Sequence, residues 1–157
     1  MPEYITPEGM ARLHRRMKRL LEVERPAVIK QVVTAREMGD LSENAEYHAA
    51  RERQRHIDHE LNHLRNRLGK LQALDSANIP KDAVRFGARV LAREEPTGEE
   101  TLFRLVGVDE TDDSADDLRL VSVASPIGQA MIGKKPGQKF EVKAPAGDRV
   151  FEVISIS

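Results

Sequence analysis

Apolar residues recur at alternating threes and fours through the first half of the chain, and at every second position through much of the second. Met10, Leu13, Met17 and Leu20 mark one helical face, and Val28, Val32, Ala35 and Met38 resume it. Thr6-Pro7-Glu8 predicts the start of this helix, with Thr at the N-cap, Pro at the first helical position and an acid in the first turn. Gly9 stands where a capping box would place Glu or Gln. Pro26 removes a helical hydrogen bond and predicts a kink near Arg25. A second stripe, Ala45, Ala49, Ile57, Leu61, Leu64, Leu68 and Leu71, predicts a second helix starting near Ser42, with a gap near Arg53. Two helices of about 30 residues, each about 45 Å long, with a short connection predict an antiparallel coiled coil over residues 1–75. Its apolar residues shrink from leucine near Leu64–Leu71 to alanine towards the turn.

Residues 76–83 break the helical period and read as a linker. Beyond them, Val84–Val90, Leu102–Val108, Leu118–Val123, Phe140–Lys143 and Val150–Ile156 alternate as strands do. Residues 94–100 and 110–117 are polar, acidic connections, and Pro145-Ala146-Gly147-Asp148 is a hairpin turn. Ser125, Pro126 and Gly133 bound a short helix as cap, first residue and stop. The expected fold class is α+β: a helical coiled coil, then a domain over 84–157 of about five strands and one helix.

Composition narrows the setting. There is no cysteine, which excludes disulfides and thiolate metal sites and suits a reducing compartment. No basic segment leads into an apolar run at the N-terminus, and no stretch reaches membrane-spanning length, so the expectation is a cytoplasmic protein with no membrane partner. The net charge of −1 hides an asymmetry: residues 1–75 carry 14 Lys/Arg against 12 Asp/Glu and all 5 His, and residues 76–157 carry 11 against 14. Neither half is basic enough to hold nucleic acid by bulk charge, so any such contact must be local.

The chemistry concentrates in the turn between the helices. Met38-Gly39-Asp40-Leu41-Ser42-Glu43-Asn44-Ala45-Glu46-Tyr47 places Asp40, Glu43 and Glu46 around one glycine. Gly39 can take a positive φ and stop the first helix, and Asp40 or Ser42 can cap the second. Judged by spacing alone, such acids more often serve as caps than as ligands.

The run Ala35-Arg36-Glu37 through Tyr47-His48-Ala49-Ala50-Arg51 closely resembles the tip of the bacterial GreA/GreB transcript-cleavage factors. The resemblance extends along the whole chain, through Val106-Gly107-Val108-Asp109-Glu110, Ser125-Pro126-Ile127 and Ile132-Gly133-Lys134. Leu41 and Tyr47–Arg51 look more like the GreA branch, and Ser42 is closer to GreB. The resemblance implies a factor that binds a backtracked RNA polymerase. Its globular domain, FKBP-like in the family, docks at the rim of the secondary channel. The coiled coil passes down the channel and brings two carboxylates, here Asp40 and Glu43, to the active centre. The factor then stimulates the polymerase's own hydrolysis of the nascent RNA 3′ segment and is not itself an enzyme. The implied partners are RNA polymerase and the RNA 3′ end, with the factor a monomer when bound.

Two carboxylates are hard ligands that suit Mg²⁺ but do not complete an octahedral shell. That fits a protein lending ligands to a partner's site, so Asp40 and Glu43 are expected to share a Mg²⁺ and its attacking water with the polymerase. Arg36 and Arg51 match positions in the family's basic patch, which implies contact with RNA phosphates; a solvated coil face with intrahelical pairs such as Glu52 to His56 weighs equally. Arg53 and Arg55 are weaker candidates. His56, His59 and His63 share roughly one face and read as a polar stripe rather than a metal site. Tyr47 can stack on a base or pack across the coil, with packing preferred. Ser125, Pro126 and Ile127 fall where the family docks on polymerase, although Ala124 replaces the Asn or Asp often found there. Phe86, Phe103, Phe140 and Phe151 suit a core better than a ligand pocket, so prolyl isomerase activity is not implied. Two other functions fit the same shape: a channel-binding polymerase inhibitor, and a structural coiled-coil adaptor. A free-standing metal nuclease lacks ligands.

Overall fold

The computed structural model describes residues 3–40, 44–111 and 118–157. Contacts divide the chain into two units, Met10–Leu71 and the combination of Met1–Gly9 with Gln72–Ser157. The division expected from sequence drew the coil over 1–75 and a linker over 76–83. The observed grouping differs at both ends.

In the helical unit, α1 (Pro7–Arg19) passes through a five-residue π turn, Leu20–Glu24, into α2 (Arg25–Arg36). The π turn takes the place of the expected kink. Pro26 has no N–H to give, and the Arg25 N–H reaches back five residues to the Leu20 carbonyl. The wider turn also keeps the apolar face in register. Leu20 and Val28, both buried, are eight residues apart where a heptad repeat would give seven. α3 (Ala45–Lys70) runs antiparallel. Contacts pair Arg16 with Glu60, Arg25 with Asp58, Gln31 with Arg53 and Ala35 with Asn44, so one number rises as the other falls.

Leu20, Leu61 and Leu64 form the thick end of this coil, with Leu13, Met17 and Ile57 packed on them. Each buried leucine contributes about 1.5–3 kcal/mol. Further along, the buried residues are Val28, Val32, Ala35 and Ala50. The taper matches the sequence, but the face of α3 is shifted: Ala45 and Ala49 are exposed, and Tyr47, Ala50 and Gln54 turn inward.

Arg16 ties three segments of the coil. Its Nε and Nη2 donate to the two Glu60 oxygens at 2.7 and 2.9 Å, and its Nη1 donates to Glu24 on the π turn at 2.7 Å. The hydrogen bonds from Arg16 hold the Glu60 carboxyl below its usual range, and those with Glu60 raise Arg16 above its own.

The second unit holds a two-stranded sheet of β1 (Glu3–Ile5) with β2 (Leu71–Ala73), and a five-stranded mixed sheet. The large sheet contains β3 (Arg89–Glu95), β4 (Glu100–Val106), β5 (Leu118–Ser122), β6 (Lys139–Val142) and β7 (Arg149–Ile156), in the order β5-β4-β3-β7-β6. Within this sheet, among the described residues, only the β4–β5 pair is parallel. Helix α4 (Pro126–Met131) packs on the face carrying Val90, Phe103, Leu105, Val121, Phe151 and Val153. Phe103 meets Phe151 edge-on and Phe140 stacks on it, so these rings build the core as expected.

The alternation over Val84–Val90 is a strand only from Arg89. Before it, Val84 bonds with the chain around Gly133 and Lys134, and Phe86-Gly87 turns. Residues 76–83 are not a free linker either. Ser76–Asn78 is a 3-10 turn capped by Asp75, and Ala83 is buried.

The missing capping-box acid is supplied from 104 residues away. The Thr6 hydroxyl accepts the Gly9 N–H at 3.1 Å, as an N-cap should. Glu110 Oε2 accepts the Thr6 N–H at 3.1 Å, and the Thr6 hydroxyl donates to Glu110 Oε1. Glu110, expected in a solvated acidic connection, is 3 % exposed and also accepts the Gly107 N–H at 2.9 Å. Its carboxylate fills the space where a Cβ on Gly9 would project, so residue 9 has no room for a side chain.

Candidate functional site: the turn between the coil helices

α2 ends at Arg36, and the Glu37 and Met38 N–H groups bond back to the Val33 and Ala35 carbonyls at 3.2 and 3.1 Å. Gly39 then takes φ +131°, a conformation other residues rarely adopt, and turns the chain as its sequence position predicts. Asp40 follows and is exposed, as are Met38 and Gly39. Leu41, Ser42 and Glu43 lie outside the described residues, and with them the expected roles of Glu43 as a carboxylate ligand and of Ser42 as a cap.

Asn44, rather than Asp40, caps α3. Its Oδ1 accepts the Tyr47 N–H at 3.0 Å, and its Nδ2 donates to the Ala35 carbonyl of the facing helix at 2.6 Å. Sequence reasoning passed over Asn44, although an Asn directly before the first helical residue is a strong cap signal. The helix therefore starts at Ala45, later than expected.

The cations expected near the turn differ in setting. Arg36 is exposed, with its guanidinium 5.8 Å from the centroid of the Tyr47 ring. Tyr47 is half-buried, and its ring meets that of His48 edge-on. Arg51 is also half-buried and donates to Gln54 at 2.9 Å. Arg53 reaches across the coil to Gln31 at 3.0 Å, and Arg55 pairs with Glu52 at 2.8 Å. The small side chains here leave a groove of about 560 Å³ between the helices, lined by Ala27, Thr34, Ala49 and Ala50 with Lys30 and Arg53 at its edges. His56 pairs with Glu52 at 3.3 Å, and His59 and His63 are exposed. Among the described residues, no group of three or more His, Asp or Glu side chains is arranged to hold a metal ion.

On the sheet unit, Ser125 caps α4 by accepting the Gly128 N–H at 3.1 Å while its hydroxyl donates to the Ser122 carbonyl at 2.7 Å. Pro126 is exposed, and Ile127 packs partly against the core. Both line a cavity of about 310 Å³ floored by Phe103, Val121 and Phe151 and edged by Arg119 and Lys143. Phe103 and Phe151 thus belong both to the core and to a concave surface, which the expected core role did not foresee. Among the described residues, no helix is long and apolar enough to cross a membrane.

Comparison with known proteins adds the relation. Residues 3–72 match the family described as "Transcription elongation factor, N-terminal", and residues 79–157 match "Transcription elongation factor, GreA/GreB, C-term". The transcription elongation factor GreA of Rhodospirillum rubrum is 47% identical over 152 residues, covering 97% of this chain and 95% of that relative. Its namesake from Thermodesulfovibrio yellowstonii is 44% identical over 153 residues, with 98% and 95% covered. The GreA of Maricaulis maris is 42% identical over 153 residues, with 98% and 96% covered. With both family regions matched in order along one chain, and full-length relatives at this identity, the protein belongs to the GreA/GreB family of transcription elongation factors.

Proposed function

We propose that this protein is a transcription elongation factor that rescues backtracked RNA polymerase by stimulating the polymerase's own cleavage of the nascent RNA. The observation that carries this reading is an exposed Asp40, set just past Gly39 where a tapering two-helix coil turns back on itself, in a chain of this family. The coil supplies reach: α3 alone extends about 39 Å. The sheet unit supplies the grip, through the concave surface beside Ser125, Pro126 and Ile127.

The donor set at the turn suits a hard divalent ion. Asp40 offers a carboxylate at an exposed position, and Glu43 would offer a second three residues on. Mg²⁺ held between these carboxylates and the polymerase would neutralise phosphate charge and make its bound water a stronger nucleophile. Asp40 and Glu43 would hold that ion and orient its water by accepting hydrogen bonds from it. Arg36, exposed beside the turn, would hold an RNA phosphate in bidentate fashion. Arg51 spends one N–H on Gln54 and would offer its remaining donors to the same strand. The protein performs no hydrolysis of its own in this account.

The test is a gel of end-labelled RNA in a halted polymerase complex, with and without the protein. Shortened transcripts that resume extension are the expected result. Blocked extension without shortening would instead make the protein an inhibitor, and no effect on either would leave an adaptor role.

A further inference from the structure

The loop carrying Asp40 and Glu43 leaves α2 and enters α3 at two points that one side chain holds together. Asn44 Oδ1 accepts the Tyr47 N–H at 3.0 Å while Nδ2 donates to the Ala35 carbonyl at 2.6 Å, across nine residues of sequence. The amide can be oriented in only one way here, because Tyr47 presents a donor and Ala35 an acceptor. Ala35 is itself buried on the coil face, at 4% exposure, so Asn44 is anchored to a core position of the opposite helix. Capping alone does not call for asparagine. Ser, Thr or Asp caps a helix about as well. A serine hydroxyl is too short to reach the facing carbonyl as well, and an ionised aspartate has no proton to donate.

From this geometry we propose that Asn44 is a positioning residue for transcript cleavage. It fixes the separation and relative rotation of the two chain ends from which the acidic loop emerges. The proposal rests on the reading of Asp40 and Glu43 given above. Asn44 acts through the loop, not on the reacting phosphate. Its leverage comes from the steep dependence of catalysis on alignment, where a displacement of about 1 Å costs about 100-fold.

The test uses the full-length variants Asn44→Ser, Asn44→Ala and Asp40→Asn. Asn44→Ser keeps the cap and its neutrality but loses the bond to Ala35. In the free protein, hydrogen exchange at the Tyr47 amide should stay slow in Asn44→Ser and become fast in Asn44→Ala. On halted polymerase, the maximal cleavage rate with Asn44→Ser should fall roughly 10- to 100-fold, while the half-saturating protein concentration stays as in the unmodified protein. A wild-type maximal rate in Asn44→Ser overturns the proposal. So does a rise in half-saturating concentration at unchanged maximal rate, which would mean a binding role. Fast exchange at Tyr47 in Asn44→Ser would reduce Asn44 to a cap and also overturn it. Asp40→Asn separates the two readings. If it is inactive while Asn44→Ser is fully active, only the clamp fails; if Asp40→Asn is fully active, the carboxylate reading fails and the clamp with it.

Discussion

Glu110 shows how much a single buried carboxylate can govern at the residue scale. It takes the role that a capping box gives to the third helical residue, and it occupies the space that residue's side chain would need. The effect of a side chain at residue 9 should therefore have the sign opposite to helix propensity. Alanine is favoured over glycine in a helix by about 1 kcal/mol, yet Gly9→Ala should destabilise the protein by about 1–3 kcal/mol. Chemical denaturation of the variant measures this, and a stabilised Gly9→Ala would contradict it. The Thr6 cap was legible because its signal is local. Glu110 was not, because its partner lies 104 residues away and an acid in an acidic stretch looks solvated. Asn44 sits between these cases: its preference for the cap position was readable, but its bond to Ala35 depends on the facing helix.

At the scale of elements, periodicity located both coil helices and most of the sheet, and the cap and stop residues located the short helix α4. It misplaced what depends on backbone hydrogen bonding. Pro26 forecast a disturbance, but a π turn and a kink differ only in where the freed groups bond. The alternation over Val84–Val90 is equally compatible with a looped segment whose side chains alternate between core and solvent. Within the coil, Arg16 joins α1, the π turn and α3, and this makes a pH prediction. Glu60 titrates below its ordinary value of 4.5 because of its hydrogen bonds from Arg16. A carboxyl with a depressed folded-state pKa adds stability above its unfolded value, and that stability is lost as pH falls through the folded one. The unfolding temperature should thus fall on acidification below about 4.5, and fall less in Arg16→Met. Both partners are about 40% exposed, so the pair's share is modest, about 0.5–1 kcal/mol. An unchanged acid slope in Arg16→Met would remove this pair from the account.

For the whole molecule, the sequence carried the order of the parts: a coil that thins towards an acidic turn, then a sheet domain. It could not show that Met1–Gly9 group with Gln72–Ser157, because that grouping is made by long-range contacts such as Thr6 with Glu110 and Leu74 with Ile5. The proposed function needs both units, the sheet unit to hold the polymerase and the coil to supply the carboxylates. Its most direct measurement uses the double variant Asp40→Asn and Glu43→Gln on a halted polymerase complex with end-labelled RNA, alone and mixed with the unmodified protein. The double variant should leave the RNA at full length, and in excess it should suppress cleavage by the unmodified protein by still occupying the polymerase. RNA shortened by the double variant at the unmodified protein's rate would contradict the proposed function.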